Sequence, residues 1–291
     1  LITNNNHFSF KWKINGRQST QNILIAGNER EHTSQALFSI LSSLSYGVPK
    51  ARFCVKLLNA LDEDETKDLS LDLIAKSSKS YDIQEFKIDD LELLLAGLEA
   101  LLDFRRTSDE REPVIVFLIG MEKILKLQSI GFTESECASK LRGIMSSGSN
   151  FGIYFVCEIN KPSGISKISR DLIGFIDHKL CFFMNESESL ECINSKLANQ
   201  LINADAPNIR NKAIYYSQSE GTAQKFKSYS NVANAKQFLR VLKAKTDFSE
   251  INKFFHYDSL NKKDVDQNES FELDQEVGKI SLDEFNKMLN N

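Results

Sequence analysis

The stretch Ile23-Leu24-Ile25-Ala26-Gly27-Asn28-Glu29-Arg30-Glu31-His32-Thr33-Ser34 governs the reading of the whole chain. Four apolar residues run into an eight-residue turn that opens on glycine and closes on serine. A helical spacing of apolar residues, Leu37, Ile40, Leu41 and Leu44, then begins near Gln35. Strand, glycine-opened turn and helix are the layout of a phosphate-binding loop. In a loop that holds a polyphosphate, the sixth residue is Gly, so that backbone N–H groups wrap the anion. The seventh is Lys, which pairs with the β- and γ-phosphates. Here those places hold His32 and Thr33, and Glu29 and Glu31 add negative charge where the phosphates would lie. A plainer reading stands beside this one: Gly27 does no more than end a strand.

Outward from this stretch the chain alternates short apolar strand signals with longer helical ones. The strand signals are Asn22 to Ala26, Arg52 to Leu57, Pro113 to Ile119, Gly152 to Cys157 and Lys179 to Met184. This rhythm predicts an α/β fold. Val114 to Ile119 and Ile153 to Cys157 are apolar at nearly every position, which suits central strands of a mostly parallel sheet with helices on both faces. Leu91, Leu94, Leu95, Leu98, Leu101 and Leu102 form the apolar face of a long helix. Ala213 to Ser217 and Ala223 to Ser228, joined through Ser219-Glu220-Gly221-Thr222, read as a hairpin on the sheet edge. Phe8 to Trp12 alternates like an edge strand. The expected organisation is an N-terminal edge strand over 1–18, an α/β domain over 19–245, and an acidic linker with a short helix over 246–291. In that last helix Ser281 and Glu284 form a capping box, and Leu282, Phe285 and Leu289 share one side. The tail is expected to be flexible.

Composition narrows the function classes. The 291 residues are 41% hydrophobic and 26% charged, with a net charge of −4, which excludes a stand-alone basic nucleic-acid binder. The longest uninterrupted apolar run, Val114 to Ile119, is far below the roughly 20 residues a membrane-spanning helix needs. No membrane contact is expected of this segment. Five cysteines without a C-x-x-C pair read as reduced, mostly buried thiols, and the four scattered histidines lack zinc-ligand spacing. The start at Leu1 without Met reads as a piece of a longer protein with domains upstream.

A nucleotide-hydrolysing domain of this layout carries a second acidic station at the end of a later strand, where an Asp holds Mg²⁺ and a Glu polarises water. After Val114 to Ile119 come Gly120 in the Asp place and Met121 in the Glu place. Glu122 takes the Glu place only through a slip of one residue.

With these segments in view, the chain resembles the FtsK/SpoIIIE/HerA-type ATPases over about residues 20 to 245. Gln21 to Leu44 looks like the family's opening strand, phosphate loop and Ser/Leu-rich helix. Phe151 to Cys157 followed by Asn160-Lys161-Pro162-Ser163 looks like its sensor strand and turn, with Asn160 where the family has Gln. Leu172 to Met184 with Ser187 to Ile193, and Asn211 to Ser228, are similar to its later segments. The likeness is strongest to degenerate C-terminal modules of multi-module proteins such as EccC and EssC. It implies a RecA-like P-loop core, a cytoplasmic setting, and other ATPase modules of the same or a neighbouring chain as partners. It also implies DNA or an exported protein as cargo of the full assembly, with a protein partner at the C-terminal helix. Residues 27–34, 120–121 and Asn160 would be the nucleotide positions. With the Lys and Asp places changed, no cofactor is expected beyond weak ATP and Mg²⁺. An active DNA translocase with an atypical loop is the alternative. Arg105, Arg106 and Arg111 read as a solvated helix end and loop, Asp62 to Glu65 as a solvated acidic loop, and Lys161 as a partner or DNA contact.

Overall fold

The computed structural model describes residues 2–3, 6–7, 21–47, 53–62, 64–65, 83–109, 112–129, 133–168, 170–203 and 212–227. Among them run ten strands of one sheet: β1 (Ile2–Thr3), β2 (Asn6–His7), β3 (Ile23–Ala26), β4 (Cys54–Asn59), β5 (Ile83–Phe86), β6 (Val114–Ile119), β7 (Ile153–Ile159), β8 (His178–Cys181), β9 (Lys212–Ser217) and β10 (Thr222–Lys227). Their spatial order is β2-β1-β10-β9-β8-β3-β7-β6-β4-β5. The six strands from β8 to β5 are mutually parallel, whereas β9 and β10 join antiparallel as a hairpin with Tyr216 opposite Ala223. The helices are α1 (Arg30–Gly47), α2 (Leu91–Thr107), α3 (Glu136–Ser147), α4 (Arg170–Gly174) and α5 (Glu186–Ile193).

The continuous apolar strands sort by the period of two into two cores, one on each face of the sheet. Val114, Val116 and Leu118 of β6 join Phe155 and Cys157 of β7 in a cluster with Leu94 and Leu98 of α2 and Leu141 and Ile144 of α3. Ile115, Phe117 and Ile119 join Ile25 and Val156 in a second cluster with Leu37 and Leu41 of α1. The expected helix-covered sheet is therefore present. Ser135 caps α3 by accepting from Ala138 N–H at 3.1 Å, and α5 opens on a reciprocal box between Asn185 and Glu188.

Several details differ from expectation. Helix α1 begins at Arg30, not near Gln35, because the N–H groups of His32 and Thr33 donate to Glu29 O at 3.1 and 3.4 Å and close the first turn early. Strand β7 runs on past Cys157 to Ile159, and β8 ends at Cys181 rather than Met184. Strand β5 carried no clear signal, since Glu85 is exposed and only Phe86 is fully buried. The hairpin is not the outermost piece, as Ile2 of β1 pairs with Lys227. Arg105 is not solvated: it is fully buried and donates to Phe151 O at 2.8 Å and to Glu112 O, while the next residue, Arg106, is exposed and pairs with Asp103. Phe8 to Trp12, Arg111, residues 228–245, the acidic linker and the C-terminal helix lie outside the described residues.

Candidate functional site

In a parallel sheet of this order the C-terminal ends of β3, β7 and β6 stand side by side, with β7 in the middle. Loops that leave these ends converge on one crest, where ligands of open α/β sheets bind. The turn after β3 is only Gly27-Asn28-Glu29, since Arg30, Glu31, His32, Thr33 and Ser34 already lie in α1. Its first two N–H groups are engaged: Gly27 N–H donates to Ile159 O and Asn28 N–H to Phe183 O, both at 3.2 Å. Gly27 is glycine for lack of room, because a Cβ there would stand 2.7 Å from Phe182 Cβ.

The centre of the crest is Glu158. The alternation of β7 sends Val156 and Glu158 to the α1 side, and the register sets Glu158 opposite Ile25 of β3. Its Oε1 accepts from Thr33 Oγ1 at 2.7 Å, and its Oε2 accepts from Gly120 N–H at 2.8 Å. One carboxyl thus joins the residue in the Lys place to the residue in the Asp place. Gly120 is left-handed at φ 68°, and a Cβ on it would lie 2.6 Å from Leu61 Cδ2. Burial holds the Glu158 carboxyl above the ordinary range, against the lowering effect of its two hydrogen bonds. Thr33 Oγ1 also lies 3.1 Å from Arg30 O, so its single hydrogen is shared between that carbonyl and Glu158 Oε1.

The sequence pattern does not pick out Glu158, because the apolar run of this strand ends at Cys157, one residue earlier. The available signal was a lone acid on the α1-facing register of β7.

The remaining residues of the crest are tied into the protein. Met121 packs into the core on the α2 and α3 side, away from Glu158 and α1. Glu122 is buried; its Oε1 accepts from Lys161 N–H at 3.3 Å and its Oε2 has no partner among the described residues. Burial and then the neighbouring Glu158 charge push its carboxyl upward. Asn160 Nδ2 reaches Gly27 O at 3.5 Å, and Asn28 Nδ2 donates to Glu188 Oε2 at 3.1 Å. His32 stacks on Phe182 with centroids 5.7 Å apart and sits 3.4 Å from Glu29. Ser34 Oγ donates to Glu31 O, and Gln35 Nε2 to the Glu31 carboxylate. Arg30 Nη2 is 3.5 Å from Glu65, which also pairs with Lys123, so part of the acidic loop is bound to the crest rather than solvated. Among the described residues no three His, Cys, Asp or Glu side chains are grouped to hold a metal ion. The chemistry available here is that of three buried carboxyls, Glu122, Glu158 and Glu188, and the Arg30 guanidinium, with no lysine at the first turn of α1.

A sheet with its first loop at β3, flanked by β8 and β7 and followed by β6, β4 and β5, has the RecA-like α/β order. No protein-family model matches the sequence, and no curated protein matches it. Solved structures do. ATPases 2 and 3 of EssC from Geobacillus thermodenitrificans align at 13% identity and a TM-score of 0.57, covering 80% of this chain and 44% of that one. The cytoplasmic domain of the type VII secretion ATPase EccC from Thermomonospora curvata aligns at 11% and 0.56, covering 77% and 28%. The pCW3 conjugation coupling protein TcpA aligns at 14% and 0.52, covering 76% and 65%. The chain therefore has the fold of FtsK/SpoIIIE-type ATPase modules, and it spans less than half the length of the first two relatives. Among the described residues no helix is long and apolar enough to cross a membrane.

Proposed function

We propose that this chain is a catalytically silent FtsK/SpoIIIE-type module, a structural, regulatory or partner-docking part of a larger cytoplasmic ATPase that exports protein or moves DNA. The observation that carries the reading is the Glu158 carboxyl spanning Thr33 and Gly120. Phosphoryl transfer needs positive charge on the γ-phosphate and an acidic anchor for Mg²⁺. Here a carboxyl lies between the places of the lysine and the aspartate, and the first two N–H groups of the loop are bonded to Ile159 of β7 and to Phe183 just after β8. Other ATPase modules are the expected partners, as in the multi-module machines that share the fold. DNA contact by this module alone is weak and salt-sensitive, given the net charge of −4 and the burial of Arg105.

Titration of the chain with ATP and Mg²⁺ by calorimetry, joined to a steady-state hydrolysis assay, tests the reading. No saturable heat and no turnover above background are expected. Micromolar binding, or turnover that disappears in Glu122→Gln, would overturn it in favour of an active module with an atypical loop.

A further inference from the structure

The crest leaves one reactive cluster unused, at the junction of β8 and α5. Cys181 ends β8 and Cys192 lies in the last turn of α5, and their sulfurs are 3.3 Å apart in the core. Lys179, two residues before Cys181 on the same strand, is buried as well. Its one hydrogen bond among the described residues is to Cys192 O at 3.0 Å. A buried ammonium without a carboxylate partner is costly unless another anion faces it, and here the candidates are two thiols.

We propose that Cys181 and Cys192 form a dithiol modification site that a peroxide closes to an intramolecular disulfide, with Lys179 as the positioning cation. The assignment rests on the contact of the two sulfurs, which need to approach by only about 1.2 Å to reach bonding distance. The two thiols are also inequivalent. The Cys181 hydrogen bond, helped by the Lys179 charge and opposed by burial, holds Cys192 below the ordinary thiol value, while Cys181 is pushed well above it. Cys157, buried without such neighbours, is pushed up to about 12. Both sulfurs are buried, so the proposal requires the end of α5, a helix of only eight residues closed by a left-handed Asn194, to open locally and admit the oxidant.

The chemistry balances. The Cys192 thiolate attacks one peroxide oxygen, the O–O bond breaks, and the departing hydroxide leaves as water with the proton Cys192 gave up. Cys192 is then a sulfenic acid. The Cys181 sulfur attacks the Cys192 sulfur, the S–S bond forms, the S–O bond breaks, and the hydroxyl leaves as a second water with the Cys181 proton. Two thiols are oxidised and one peroxide is reduced. The bond would fasten α5 to β8. Since Glu188 of α5 accepts from Asn28, it would also stiffen the turn after β3.

The test uses the folded chain, treated with about one equivalent of hydrogen peroxide, then unfolded, alkylated and digested with trypsin without reduction. Cleavage after Lys179 and Lys196 puts both cysteines in one peptide, 180–196. That peptide is expected about 2 Da light and unalkylated, restored by dithiothreitol, and formed before the partly exposed Cys137 reacts. In Lys179→Met, where the cysteines fall in the tryptic peptide 171–196, the rate should fall about tenfold. Recovery of 180–196 with two alkylated cysteines after Cys137 has oxidised overturns the proposal. Equal rates in a folded Lys179→Met chain remove Lys179 from it.

Discussion

Thr33 and Glu158 meet at 2.7 Å across the top of the sheet, from the first turn of α1 to the penultimate residue of β7. In a lysine-bearing loop the same position would project an ammonium toward a phosphate. Here the short hydroxyl turns inward to an acid that the neighbouring strand supplies, and the acid's other oxygen takes Gly120 N–H. The substitutions in the Lys and Asp places are thus two ends of one hydrogen-bonded bridge, and they support each other structurally.

That bridge makes a prediction about Glu158 itself. Its folded pKa is raised, so its contribution to stability is fully present below the unfolded value of 4.5 and is lost as pH rises through the folded value. As pH rises above the unfolded value the unfolded chain gives up this proton first, so the carboxyl becomes a cost to folding. Glu158→Gln keeps both contacts, because its carbonyl accepts from Gly120 N–H and its amide donates to Thr33 Oγ1. It should melt at or above the wild-type temperature at about pH 7.5, at a scale of about 2–4 °C per kcal/mol. Glu158→Ala strands the buried Gly120 N–H and should lose about 1–3 kcal/mol. Thermal melts of the two variants decide it, and a Gln variant less stable than the Ala variant would refute the bridge.

Two glycines should respond in opposite senses to alanine. Gly27→Ala places a methyl 2.7 Å from Phe182 Cβ, an atom close to the backbone that cannot swing aside. A loss of about 1–3 kcal/mol is expected. Gly143 sits in the exposed part of α3 with nothing within 4 Å of an added Cβ. There alanine should stabilise by roughly 0.5–1 kcal/mol through helix propensity. Denaturant midpoints of both variants give the comparison.

The contrast between elements explains what the sequence revealed. Val114 to Ile119 announced a central strand because every one of its side chains needs an apolar neighbour, and α2 announced itself by its leucine spacing. The glycine turn after β3 was visible for the same local reason. The early start of α1 follows from the His32 and Thr33 N–H groups closing on Glu29 O, a local turn that the apolar spacing from Leu37 onward does not mark. Two things depended on distant partners. The role of Glu158 needs the register that sets β7 between β3 and β6. The fates of Arg105 and Arg106 diverge because adjacent helix positions face about 100° apart, and only the packing of α2 says which one points inward.

Arg105 is expected to be a structural residue with no part in binding. Its guanidinium is fully buried and bonds Phe151 O and Glu112 O, tying the end of α2 to the chain before β6 and β7. Each hydrogen bond to a charged group is worth roughly 1.5–3 kcal/mol, and removal of the side chain also leaves a cavity. Arg105→Ala should therefore destabilise by about 3 kcal/mol or more. Arg106→Ala, which breaks one exposed ion pair with Asp103, should stay within about 1 kcal/mol. Equal effects of the two substitutions in urea unfolding would contradict the burial of Arg105.

The pH dependence of stability should carry two opposing contributions, one from His178 and one from the raised carboxyls of Glu158 and Glu122. His178, at the start of β8, is largely buried; Tyr215 O–H lies 3.0 Å from its Nδ1 and Gln21 Oε1 lies 3.4 Å from its Nε2. Donation by the tyrosine to Nδ1 leaves the hydrogen on Nε2, a neutral ring satisfied on both sides. Burial lowers its pKa below 6.5, against the raising effect of Asp177 and Glu220. Above about pH 6.5 the ring is neutral in both states and its contribution is complete. As pH falls below that value the unfolded chain takes the proton first, and stability drops until the folded value is passed. Glu158 acts the other way, taking up its proton first in the folded chain as pH falls. Urea midpoints measured from about pH 8 to pH 5 on the wild type, His178→Gln and Glu158→Gln separate the two. The advantage of wild type over His178→Gln should shrink on acidification, and its deficit relative to Glu158→Gln should shrink as well. A constant difference for His178→Gln across that range would mean that the ring keeps its ordinary titration in the folded protein.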